Sequence, residues 1–203
     1  MTSILRRLFL LLALLAPACA AAQVAATVEG VRTPAWVERD GKRTPIVPGM
    51  QLKAGDVLLT GEGSRVAVKL AEGSLVKLGE NGTLKFTELS TSKELFKAAL
   101  QVLQGAFRFT TDVAAKAHKR EVSIGVSQVV AGIRGTDLWG RSRGDAQVIC
   151  LIEGRVEISA PGERPVTMDQ PLQFYRREQG KARPVGFIER KQLEEWAREV
   201  EIR

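Results

Sequence analysis

Apolar and polar residues alternate with a period of two along most of the chain, and glycine punctuates the runs. That pattern predicts short strands joined by tight turns. Asp40-Gly41 lies between Trp36-Val37-Glu38-Arg39 and Thr44-Pro45-Ile46-Val47, the signature of a hairpin. Glu72-Gly73, Asn81-Gly82, Glu153-Gly154 and Pro161-Gly162 mark further turns. From Ser64 to Leu89 the triplets Val68-Lys69-Leu70, Val76-Lys77-Leu78 and Leu84-Lys85-Phe86 recur every eight residues. Alternation predicts that Val68, Leu70, Val76, Leu78, Leu84 and Phe86 share a buried face, with Lys69, Lys77 and Lys85 in a row on the other.

Two segments far apart echo each other. Leu103-Gln104-Gly105-Ala106-Phe107-Arg108-Phe109 matches Ile152-Glu153-Gly154-Arg155-Val156-Glu157-Ile158 in apolar, polar and glycine type. This suggests two related halves, or two strands in equivalent places of opposed sheets. Two other stretches read as helical. The apolar-rich run Lys93 to Leu103 is expected to be a helix or an irregular loop. In Glu189 to Val200, Leu193, Trp196 and Val200 fall at i, i+3 and i+7, with opposite-charge pairs Lys191/Glu195 and Glu194/Arg198. This amphipathic helix is expected to cover an exposed edge or open end of the β domain. The fold expectation is all-β: a two-sheet sandwich or short β-solenoid of about a dozen strands with a C-terminal helix.

The first 22 residues have a different character. Arg6 and Arg7 precede an unbroken apolar run from Leu8 to Ala16, Pro17 breaks it, and Ala18 to Ala22 supply small residues. This is the layout of a secretory signal peptide, cut after Ala22 to leave Gln23 first. The division expected is therefore residues 1–22 signal peptide, 23–187 β domain and 188–203 C-terminal helix. A second reading makes Cys19 a lipoprotein anchor, although Ala16 and Pro17 fit such a signal poorly. No later run is long enough to span a bilayer as a helix. The protein is expected to be periplasmic or secreted.

The chain of 203 residues carries 30 basic and 23 acidic side chains, a formal charge of +7. With one histidine and two cysteines, Cys and His alone cannot supply a four-ligand zinc site, and a disulfide framework is excluded. Cys150, within Val148-Ile149-Cys150-Leu151-Ile152, is expected to be a buried, inert thiol.

Leu52-Lys53-Ala54-Gly55-Asp56-Val57-Leu58-Leu59-Thr60-Gly61, followed by Ser64 to Leu70 and Gly73 to Leu78, resembles the opening of the FecR domain family. Val129-Val130-Ala131-Gly132-Ile133-Arg134-Gly135-Thr136-Asp137-Leu138 is similar to its V-R-G-T-x-F signature, with Leu138-Trp139 where the family has Phe. Leu151 to Ile158 matches its next strand. The resemblance runs in order from Val28 to Ile158. It implies an all-β exported module. The family's namesake hangs from a membrane anti-sigma protein, but neither a cytoplasmic helical domain nor a mature membrane span is evident here, so that arrangement does not transfer.

The candidate sites follow from charge and geometry. Gly55, Asp56, Gly132, Arg134, Gly135, Thr136 and Asp137 form the structural motif. Arg134 and Asp137 are expected to pair at a strand corner with Asp56 as a third member; alternatively Arg134 grips a carboxylate or phosphate. The row Lys69, Lys77 and Lys85 would bind an anionic envelope polymer, or is a solvated face. Lys116 to Arg120 and Arg141 and Arg143 add positive charge, but the aromatic-plus-basic pattern of nucleic-acid binders is absent. No nucleophile, phosphate loop or metal motif stands out, and no catalytic residue, metal or cofactor is assigned. Function is read first as a non-enzymatic exported binding or scaffold module contacting an envelope protein or polymer. It is read second as a periplasmic signalling component with a separate membrane partner. A third reading, a glycan-directed hydrolase, would need convergent carboxylates among Asp145, Glu153 and Glu157.

Overall fold

The computed structural model describes residues 24–92, 94–112 and 119–202. The signal-peptide reading, Cys19, Lys93 and His118 lie outside the described residues.

The strands run along the chain as β1 (Ala26–Arg32), β2 (Ala35–Arg39), β3 (Lys42–Pro45), β4 (Gln51–Leu52), β5 (Val57–Thr60), β6 (Arg65–Leu70), β7 (Leu75–Leu78) and β8 (Thr83–Thr91). There follow β9 (Leu95–Thr110), β10 (Lys119–Val126), β11 (Val129–Arg143), β12 (Ala146–Ser159), β13 (Val166–Met168), β14 (Gln173–Glu178), β15 (Lys181–Ala182) and β16 (Gly186–Phe187). Helix α1 (Arg190–Ala197) and a 3-10 turn, Arg198–Val200, close the chain. The expected dozen strands become sixteen among the described residues, several only two to four residues long, and all belong to one continuous sheet that does not close into a barrel.

Three long strands fold this sheet into two layers. The first half of β9 pairs with β8 and, in parallel, with β10; its second half pairs with β7 and β11. Likewise β11 and β12 run together through both layers, with register shifts between Arg134 and Leu138. The first layer has the order β3-β2-β5-β8-β9-β10-β11-β12-β13, and the second β4-β1-β6-β7-β9-β11-β12-β14. Inward residues of both, among them Phe86, Leu100, Ile124 and Val156 with Val68, Val76, Phe107 and Leu138, form one core.

Each long strand turns at a glycine in the left-handed region: Gly105 at φ +94°, Gly135 at +66° and Gly154 at +90°. The echo between Leu103–Phe109 and Ile152–Ile158 is thus a bend shared by two strands of one sheet, and neither strands of opposed sheets nor two related halves are needed to explain it. At Gly154 the requirement is doubled, because a Cβ there would lie 2.2 Å from the Gly135 carbonyl oxygen. The bends of β11 and β12 nest, and only glycine lets the backbones come so close.

The described part of the segment Lys93 to Leu103 is neither a helix nor an irregular loop. From Leu95 onward it is β9, with Phe96, Ala98, Leu100 and Val102 buried and Leu95, Lys97, Ala99 and Gln101 facing out. Helix-forming Ala and Leu at the outward positions mask the period of two, and strand pairing on both sides overrides their propensity.

Opposite the bends, Glu163 ties a turn to β14. It accepts hydrogen bonds from Tyr175 Oη (2.8 Å), Arg177 Nε (3.1 Å) and the Ala182 amide (3.1 Å). Arg177 also donates to Gln128 Oε1 at 2.8 Å. Desolvation works to raise the Glu163 pKa, but these donors and the Arg177 charge outweigh it and hold the carboxyl below its usual value.

Two predictions follow from the bends and from this cluster. Gly154→Ala is expected to cost about 2 kcal/mol or more in denaturant unfolding, because positive φ and backbone overlap add. Gly144→Ala, at φ +60° with open space around it, carries the φ penalty alone and is expected to cost less. Equal costs would contradict the nesting. Because the folded pKa of Glu163 is depressed, its contribution is present above the unfolded carboxyl pKa and is lost as pH falls through the lower folded value. The Tm gap between wild type and Glu163→Gln is therefore expected to shrink between about pH 6 and pH 3. A gap constant over that range would contradict the assignment.

Candidate functional site

The R-G-T segment sits where the layers meet. Thr136 is buried and donates its hydroxyl to the Arg155 carbonyl at 2.7 Å, while its amide donates to Thr111 Oγ1 at 3.0 Å. The Thr111 amide returns a bond to the Thr136 carbonyl at 3.0 Å. One threonine thus links β11, β12 and the end of β9, which is why Gly135-Thr136 occupies this corner.

The bend separates Arg134 from Asp137. Arg134 points out from the first layer, and the odd register across the bulge sends Asp137 to the outer side of the second. Asp137 there accepts a two-pronged contact from Arg108, Nε at 3.0 Å and Nη2 at 2.8 Å. The expected Arg134–Asp137 pair does not form. Asp56 belongs to neither: fully buried beside Gly55 (φ +92°), it accepts from Arg39 Nε at 2.7 Å, Arg39 Nη2 at 2.6 Å and the Lys53 amide at 2.9 Å. The hydrogen bond to Asp56 raises the Arg39 pKa further.

The three lysines do not form a row. Lys69 and Lys77 face out from the second layer, whereas Lys85 lies on the first, opposite Gln101. The eight-residue repeat spans a change of layer between β7 and β8, which periodicity alone cannot reveal. Lys77 is moreover largely covered, its side chain 19% exposed, and bonds Glu201 at 2.5 Å.

The chain's own C-terminal segment covers the middle of the second layer's outer side, and beside it Glu80, Gln104, Arg141, Ser142, Arg143 and Glu199 line a groove of about 610 Å3. Leu193 and Val200 are buried against Ala106, Trp139 and Cys150, and Trp196 stacks on Trp139 with ring centroids 4.7 Å apart. The helix covers central strands of a sheet face and not an edge, because those strands present the apolar surface it needs. Electrostatics fix the rest: Glu201 meets Lys77 and Arg108 (3.3 Å), and Arg141, lying 4.9 Å over the Trp139 ring, pairs with Glu199. The Asp137 hydrogen bond is the main influence raising the Arg108 pKa. Beneath the helix, desolvation pushes the Cys150 thiol up to about 12.

The outer side of the first layer is different. Lys97, Ala98, Ala99, Glu121, Ser123, Gly132, Arg134, Arg155, Glu157 and Asp169 line a groove of about 700 Å3. One row across it reads Glu88, Ala99, Ser123, Gly132, Glu157 and Thr167, each opposite the next on adjacent strands. The neighbouring row contains Lys97, paired with Glu121 at 2.9 Å, and Arg155, paired with Asp169 at 3.2 Å. Arg134 stands directly opposite Arg155 and makes no ion pair among the described residues. Asp145, Glu153 and Glu157 do not converge: one is in the β11–β12 turn, one at the bend, one in this groove. No group of three or more His, Cys, Asp or Glu among the described residues is placed to hold a metal. Nor is any described helix long and apolar enough to cross a membrane.

Arg134 and Gly132, both named from the sequence, lie in the first layer's groove and Cys150 is buried as expected, whereas Arg39, Arg108, Glu199 and Glu201 are not singled out by the sequence and Arg141 reads there only as added positive charge. The missed signal was in view: Arg108 alternates with the inward Phe107 and Phe109 beyond the Gly105 bend, and Glu199 and Glu201 trail an amphipathic helix.

The family model described as "FecR protein" matches residues 56–157, half of the chain. No curated protein matches. Two crystal structures, at 1.65 Å and 2.50 Å, of a protein described as a "putative anti-sigma factor" from Parabacteroides distasonis ATCC 8503 share the fold. They superpose with TM-scores of 0.56 and 0.57 at 15% identity over 70% of this chain. The chain spans 64% and 63% of those structures' lengths, under two thirds of either.

Thiol chemistry tests the covered face. Desolvation raises the Cys150 pKa and packing shields its Sγ, so labelling at pH 8 is expected to be at least about tenfold slower native than denatured. Trp196→Ala is expected to cost about 2–3 kcal/mol and to speed Cys150 labelling by loosening the segment. Rapid native labelling, or no acceleration in the variant, would contradict this packing.

Proposed function

The chain belongs to the FecR family, and from that membership and the geometry above we propose that it is an exported, non-enzymatic β module that serves envelope signalling by docking a partner through the open groove of its first layer. The observation that carries this is the inequality of the two outer faces. The middle of the second layer is covered by the chain's own C-terminal segment, which leaves a groove of about 610 Å3 beside Arg141, Arg143 and Glu199, while the first keeps a groove of about 700 Å3 beside the R-G-T corner, floored by small residues. A module that docks a partner needs one accessible, chemically varied surface, and this groove has it. The likeness to a "putative anti-sigma factor" and FecR membership support the signalling side of the reading. FecR proteins are non-enzymatic regulators, and the scattering of Asp145, Glu153 and Glu157 gives the hydrolase reading no support.

The reading has two parts and two measurements. Intact mass of the protein from the cell envelope is expected to place the first residue at Gln23 without lipid; a diacylglyceryl mass on Cys19 would contradict it. A photo-crosslinking residue at Ser123, in the groove, is expected to give a discrete adduct in intact cells, whereas one at Glu195, on exposed α1, gives none. An adduct from Glu195 alone, or from neither, would contradict docking at the first layer's groove.

A further inference from the structure

Gly132 has no backbone reason to be glycine. Its φ is not in the left-handed region, and an added Cβ would meet nothing nearer than the Glu157 carbonyl oxygen at 3.8 Å. Every other described glycine either has a positive φ or has a neighbour within 3.3 Å of the position its Cβ would take. One strand over, Gly125 leaves room that Gln101 fills, its Oε1 only 1.9 Å from that position. Among the described residues, no side chain comes within 4 Å of the position a Cβ on Gly132 would take. With Ala99 and Ser123 it makes a smooth floor across β9, β10 and β11, on which a ligand's main chain can lie close.

Beside that floor, Arg134 and Arg155 face each other across adjacent strands. Like charges so placed repel, and Asp169 answers only Arg155. The free guanidinium offers a planar fork for one more carboxylate. The ends of the floor are acidic, Glu88 on β8 and Glu157 on β12. They disfavour a uniformly anionic polymer and accept N–H groups. At about 4.8 Å per strand these ends are about 19 Å apart, the reach of five or six extended residues.

We propose that this groove binds an extended peptide segment of a partner protein, its main chain over Ala99, Ser123 and Gly132 and one Asp or Glu carboxylate held by Arg134. This rests on the first layer's groove being the docking site. A display library of random hexapeptides, selected on the mature protein, tests it. Asp or Glu is expected to be enriched about fivefold or more at one position, and the synthesised peptides are expected to bind Arg134→Gln and Gly132→Leu about tenfold more weakly. Both substitutions are at the surface and are expected to leave Tm and Cys150 protection unchanged. If Gly132→Leu does not fold, the exposed Arg134→Gln carries the comparison. Peptides without a carboxylate preference, or equal binding to Arg134→Gln, would overturn the proposal. Retention of the wild type but not the variants on isolated peptidoglycan, without peptide enrichment, would overturn it in favour of a polymer. An adduct at Ser123 with no carboxylate preference would leave the docking reading standing and remove this one; no adduct in cells would remove the docking reading and, with it, the partner assigned here, whatever peptides are selected.

Discussion

The structure depends on three strands turning the same corner. A sheet this long cannot bury both faces by itself, so β9, β11 and β12 bend and lay one half over the other. The bends require a left-handed backbone at Gly105, Gly135 and Gly154, and the last two approach within backbone contact. Thr136 then satisfies the amides and carbonyls that the interrupted ladders leave over. The R-G-T segment is first a device for folding the sheet, and its arginine is placed by that fold.

Folding one sheet into two layers leaves two outer faces with different fates. On the second layer, Trp139, Ala106 and Cys150 would be an exposed apolar patch ringed by Lys77, Arg108 and Arg141. The C-terminal segment removes that patch from water and brings Glu199 and Glu201 to the cations. These part-buried ion pairs orient the segment, while the aromatic stack and the burial of Leu193 and Val200 hold it. Among the described residues the first layer has no such cover. Its carboxylates and cations largely answer one another, which keeps the face soluble, and Arg134 remains over.

Much of this was legible in the residues. Alternation gave the β class and the inward residues of β6, β7 and β8, and the Leu103 and Ile152 echoes marked two of the three bends. Pairing across the bends was not legible. Arg134 and Asp137 are three apart in sequence, but a bulge sends them to opposite sides of the molecule, and no local pattern encodes that. The lysine row failed for the same reason, since Lys77 and Lys85 belong to different layers. Ala and Leu in β9 suggested a helix because propensity is a local quantity and strand pairing is not. Gly132 could be seen as a glycine, but only its surroundings show that no backbone constraint requires one.

The central claim is that the molecule engages its surroundings through the first layer while its own C-terminal segment covers the middle of the second. Hydroxyl-radical footprinting of the protein in intact cell envelope, compared with the purified protein, tests this directly. The account predicts added protection on the outward side chains of β10 and β11, around Ser123 and Arg134, with Trp196 and Leu193 unchanged. Protection confined to α1, or identical footprints in the two settings, would contradict it.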